Sequence, residues 1–154
     1  MVKQVWTFTE HTNVKEIHES GVYDRTRMMN HVAMDKGVEE RFQTLTGATG
    51  TVTHDCVHGN VFFHTAPAAN FTANFTNLDL SEEHAKNVVI TIDQDATAYM
   101  PTAVQIGGNA QTINWQGNSA PSGTDSGVDI ITFSILNDAG SYIVLGMAIS
   151  YGGS

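Results

Sequence analysis

The sequence predicts an all-β protein with an N-terminal arm of strand and helix. Three observations predict it. Beyond residue 42 the chain breaks into short runs of strand-forming residues, each bounded by Gly, Asn, Asp or Pro. Several runs alternate in polarity, and NFTANFTN (70–77) does so strictly, with Phe71, Ala73 and Phe75 on one side and Asn70, Thr72, Asn74 and Thr76 on the other. No long helical pattern separates the runs, so a parallel βαβ sheet is not expected. Turn spacing of this kind indicates a sandwich or barrel. The expected fold is an antiparallel β-sandwich, jelly-roll or Ig-like.

The arm comes first. Six of the seven basic residues (Lys3, Lys15, Arg25, Arg27, Lys36, Arg41) precede residue 42, together with seven acids; after it Lys86 faces nine acids. This shift sets the expected domains, a docking arm over 1–41 and a β-sandwich domain over 42–154. Within the arm, residues 2–9 carry Trp6 and Phe8 in an extended run. Residues 10–21 mix charges with few apolar anchors (Val14, Ile17). Residues 22–36 read as a helix, with Asp24 as N-cap, Met29, Val32 and Ala33 in a partial apolar stripe, and Gly37 closing it. Residues 38–45 add one further turn. Such an arm is too thin to hold a core of its own.

The strands follow in order. Gly47-Ala48-Thr49-Gly50 opens 51–57, and Gly59-Asn60 leads into 61–65. After 70–77 a polar loop with Ser81, Glu82 and Glu83 precedes 87–93. Residues 103–106 turn at Gly107-Gly108-Asn109 into 110–115. A Gly/Ser/Pro loop spans 116–127. The last two runs, 128–136 and 141–151, are joined by Asn137-Asp138-Ala139-Gly140, the residues of a tight hairpin.

Composition narrows the function. One cysteine, Cys56, excludes an internal disulfide framework. No apolar run approaches the ~20 residues of a membrane-spanning helix. The opening MVKQVWTFTEHTN has no basic start, long apolar stretch or cleavage site, so no signal peptide is expected. A net charge of −9 argues against nucleic acid as the partner. Outer strand faces of Thr, Asn and Gln carry little charge, which suits contact with other copies or a neighbour.

A resemblance rests on ordered motifs: TLTGATGTVTHD (44–55), GNVF (59–62), the paired NFT triplets (70–77), VVITIDQDATAY (88–99), INWQGNSAPSG (113–123) and VDIITFSILNDAGSYIVLG (128–146). Together they resemble a β module of bacteriophage virion proteins, cyanophage-like, that recurs at the C-terminal end of tail fibres. There a W-x-G-G-x-x-P-like turn precedes a V-D-hydrophobic-x-F strand and a final hairpin. Here the turn runs from Trp115 to Pro121, and Asn118 stands where the second glycine falls. The resemblance implies a structural virion subunit, made in the host cytoplasm: a tail, baseplate or head-decoration (knob) protein that works without catalysis or cofactor. Its partners would be other virion proteins and its own copies, as a homotrimer.

Few residues suggest chemistry. His54, Cys56 and His58 would share one strand face, and imidazole with thiolate suits a transition metal. The spacing is not that of a standard zinc site, and a buried cysteine flanked by hydrogen-bonded histidines is the ordinary outcome. Asp93 and Asp95 could pair for glycoside hydrolysis, although acids at a strand end usually face solvent. Trp115, Gln116 and Asn118 in the long loop could hold a host surface glycan; the alternative for Trp115 is a place in the core beside Pro121.

Overall fold

The computed structural model describes residues 39–152. The arm expected over 1–41 lies outside them except for its last three positions. The described chain is built from ten strands and two 3-10 turns. Strands β1 (Phe42–Thr46), β3 (Val61–Thr65), β5 (His84–Asp93), β9 (Val128–Asp138), β10 (Ser141–Tyr151) and β8 (Ile113–Trp115) lie in that order in a six-stranded sheet. Strands β2 (Gly50–Asp55), β4 (Phe71–Thr76), β6 (Pro101–Ile106) and β7 (Asn109–Gln111) form a four-stranded sheet.

The all-β class stands, but both sheets are mixed. Five of the eight strand pairings are parallel and three antiparallel. From β1 to β6 the chain alternates between the sheets, and each strand lies parallel to the one two places before it. That is the path of a coil, and it is neither the jelly-roll nor the Ig order. Parallel neighbours need a crossover, commonly a helix. Here a strand of the facing sheet serves, so the lack of helical segments does not exclude parallel pairing. The β9–β10 hairpin then lies antiparallel beside the third turn of the coil.

Most strands lie where alternation and turn residues put them. Residues 42–46 are the exception: they form strand, not a helical turn, because Phe42, Thr44 and Thr46 suit a pleated surface and pair with β3. The run 110–115 is split, β7 pairing with β6 and β8 with β10. The hairpin turns through Ala139 (φ 48°) and Gly140 (φ 85°), the two positive φ values that a type I′ turn requires. The Gly140 amide donates to Asn137 Oδ1 at 3.0 Å.

The core lies between the sheets. Phe62, Val88, Ile90, Ile92, Ile131 and Phe133 enter from the larger sheet, and Phe71, Ala73, Phe75 and Val104 from the smaller; all are buried. Phe75 meets Phe133 across the gap at 5.6 Å between ring centroids. The two outer faces differ. That of the smaller sheet carries Thr51, Thr53, Thr72, Asn74 and Gln105. The outward positions of β10 are Ile143, Leu145, Met147, Ile149 and Tyr151, each 39–54% exposed.

Candidate functional site

The densest sequence candidate, His54-Cys56-His58, does not converge. Strand β2 ends at Asp55, whose carboxylate caps a 3-10 turn over Cys56–His58 by accepting the Val57 amide at 3.1 Å. That turn breaks the two-residue period. His54 and Cys56 are buried, whereas His58 is exposed. Burial pushes the Cys56 thiol up to about 11, opposed by Lys86 and helped by Asp55. No group of three or more His, Cys, Asp or Glu suited to a metal ion occurs among the described residues.

His54 instead meets His64, which stands on β3 in the facing sheet. Both are fully buried, and their Nε2 atoms lie 2.8 Å apart. The bonding fixes the protons. His54 Nδ1 lies 3.0 Å from the Val52 carbonyl, which can only accept, so Nδ1 carries the hydrogen. In a neutral ring His54 Nε2 is then the acceptor, and His64 Nε2–H donates to it. His64 Nδ1 is left as a bare lone pair, buried and without a hydrogen-bond partner. Phe62, Phe71 and Phe75 surround the pair at centroid distances from His54 of 4.8, 6.3 and 5.5 Å.

An apolar cage disfavours a cation. Burial, then the neighbouring His64, lower the His54 pKa from 6.5 to about 3, against a smaller upward pull from the Val52 carbonyl. Burial lowers that of His64 to about 4. The pair is therefore neutral at pH 7, ties one sheet to the other, and is closed to solvent. His64 escaped the sequence reading, although its alternation with Phe62 in VFFHT marks an inward position.

The other candidates are more open. Asp93 and Asp95 are both exposed, with the buried Gln94 between them. Gln94 Nε2 donates to Asp129 Oδ2 at 2.8 Å and to the Tyr99 carbonyl at 3.0 Å, while its Oε1 accepts the Tyr99 amide at 3.0 Å. Asp129 Oδ2 also accepts the Thr124 amide at 2.9 Å; its Oδ1 is buried without a partner. One amide–carboxylate pair thus pins two loops. Its sequence signal was a carboxylate, Asp129, at an inward position of an apolar strand.

Trp115 is half-buried, packed against the core on one side. Its ring crosses Gly146 of β10 and meets Phe133 at 5.7 Å. A Cβ at Gly146 would lie 2.6 Å from Trp115 Cε3 and Cζ3, so only glycine lets the ring lie there. The exposed edge of Trp115, with Gln116, Ser119, Pro121 and Met147, lines an open cleft of about 330 Å³. Asn118 is not among the lining residues. It has φ 58°, so asparagine occupies a left-handed position that glycine would fill readily.

Comparisons with protein-family models, with curated proteins and with solved structures give no match to this chain.

Proposed function

We propose that the chain is a structural virion subunit, a small tail, baseplate or head-decoration protein. It docks through its N-terminal arm and self-associates through its β domain as a homotrimer. The observation that carries this reading is local. The motif on which the virion resemblance rests forms a continuous unit: the turn at Gln116–Asn118, strand β9 and the β9–β10 hairpin, with β10 between β9 and β8. The titratable groups support a binding role over a catalytic one. The imidazoles that meet, His54 and His64, are buried and neutral, and Asp93 and Asp95 face solvent outside the cleft.

The test is immunogold labelling of intact particles, together with a chain lacking residues 1–41. Labelling at fixed sites is expected, with the truncated chain folded but absent from particles. Purified particles free of the protein refute the reading.

A second reading draws on the cleft, where an exposed aromatic edge lies beside the Gln116 amide. In it the chain is a receptor-binding module for a host surface glycan. A glycan array decides: binding lost in Trp115→Ala and Gln116→Ala supports it, and silence across host envelope glycans removes it.

A further inference from the structure

We propose that the outer face of the six-stranded sheet is the surface on which copies of this chain meet, each turning that face toward the axis of the homotrimer. The proposal rests on the reading of the chain as a self-associating subunit and names the surface it would use.

Alternation along the strands sets the face. The outward residues of β10 lie opposite those of β9: Leu145 beside Ser134, Met147 beside Thr132, and Ile149 beside Ile130. The row continues through Thr91 on β5 to Phe63 on β3. Phe42 of β1 packs edge-on against Phe63, with centroids 6.0 Å apart. A sheet that fronts water alternates apolar with polar residues, whereas one buried on both sides is apolar throughout. Strand β10, YIVLGMAI, follows the second pattern, whereas its neighbours β9 and β5 mix apolar outward residues with Thr132, Ser134, Asn87 and Thr91.

Charge and hydrogen bonding point to the occupant. The chain carries a net charge of −9, so copies repel wherever their carboxylates approach. The outward strand positions of this face hold no Lys or Arg, and their carboxylates, Asp93 and Asp138, lie at opposite ends of the sheet. Between those ends the face carries no charge, so a second copy can pack on its centre without desolvating an ion, and a charged partner finds no complement there. Polar side chains on the face already bond one another. Ser134 Oγ donates to Asn87 Oδ1 at 2.7 Å, and the Thr46 and Thr65 hydroxyls lie 2.8 Å apart. Those bonds persist when the face is covered.

The area is also sufficient. At strand spacings of ~4.8 Å and a rise of ~3.3 Å per residue, the face covers roughly 700 Å². A standard interface buries about 800 Å² per partner, so the whole face, polar and apolar positions together, is close to that size.

The experiment measures the mass of the full chain by sedimentation from 0.1 to about 100 µM, for wild type, for Leu145→Lys/Ile149→Lys, and for Thr51→Lys/Asn74→Lys on the smaller sheet. Wild type is expected at three times 16.6 kDa; a dimer would overturn the homotrimer while leaving this surface to the variants below. The Leu145/Ile149 variant should be monomeric or weakened at least tenfold, and the Thr51/Asn74 variant unchanged. An oligomer that survives the Leu145/Ile149 substitutions overturns this surface while leaving self-association standing. A wild-type monomer throughout overturns both. Hydroxyl-radical oxidation of Met147 in wild type covers the case in which the variant does not fold. Protection that rises with protein concentration supports the proposal. Oxidation unchanged across the range overturns it, as does protection already complete in a monomer, which would mean the chain covers its own face.

Discussion

Acidification should destabilise this fold through His54 and His64. In the unfolded chain both imidazoles protonate near 6.5; in the fold they are lowered to about 3 and about 4. The sign follows from proton uptake. Above pH 6.5 neither state binds a proton at these sites, so their contribution is complete. Below it the unfolded chain gains protons that the fold cannot accept, and stability drops by about 1.4 kcal/mol per pH unit for each histidine until the folded values are reached. At pH 5.0 the loss is about 2 kcal/mol per histidine, or about 4 kcal/mol for both, a large share of the 5–15 kcal/mol typical of domains. Urea unfolding followed by circular dichroism at fixed protein concentration, at pH 7.5, 6.5, 5.5 and 5.0, measures it. With an m-value of about 2 kcal/mol/M the midpoint should fall by roughly 2 M between the extremes. The control is His54→Leu/His64→Leu, which removes both imidazoles together; the Val52 carbonyl loses its side-chain donor at every pH alike, which adds no pH dependence. Its midpoint should hardly move over this range, while the exposed His58 and His84 remain in both proteins. A double variant that loses stability in parallel with wild type would refute the reasoning.

Three further outcomes follow from the packing. Gly146→Val should force the Trp115 ring off Phe133, costing about 1–3 kcal/mol and changing the near-ultraviolet dichroism of the tryptophan. Gln94→Ala leaves Asp129 with the Thr124 amide as its remaining bond, so stability should fall by about 1–3 kcal/mol and limited proteolysis within 116–127 should accelerate. Cys56, buried and with its thiol raised to about 11, should resist a thiol reagent at pH 8 in the fold and react at once in urea.

What the sequence disclosed and what it withheld divide along physical lines. Alternation reports which way a side chain points, so the inward phenylalanines of NFTANFTN and the positions of β3, β4 and the final hairpin were legible. It does not report which strand lies alongside. VFFHT could pair with a neighbour running either way, and the parallel partners of β3 came from the coiled path of the chain. The same limit hid the split of 110–115 and the meeting of His54 with His64, whose rings approach from opposite sheets. The two alternatives for Trp115, core and exposed aromatic, meet in one ring, which packs on Phe133 and leaves an edge open. The metal alternative for His54, Cys56 and His58 assumed that β2 continues to residue 58. The Asp55 cap ends it, and His58 faces solvent.

The buried polar side chains have a common task. Each coil of this fold must hold loops of unequal length between rigid layers, and loop backbone beneath the surface needs partners. Asn137 donates to the Leu80 carbonyl at 2.9 Å, while its own carbonyl accepts the Glu83 amide at 2.8 Å, fastening the loop between β4 and β5. Gln94 and Asp129 fasten the two loops that follow β5 and β8. The histidine pair joins the layers. Buried polar chemistry is thus committed to fixing the shape of the domain, and the smaller sheet shows solvent a Thr/Asn/Gln face that neighbouring water satisfies. Among the described residues, the exposed Ile143, Leu145, Met147, Ile149 and Tyr151 of β10 have no such internal explanation: they neither fill the core nor pin a loop. Under the proposed assembly role, that row is the part of the domain left for contact with another copy.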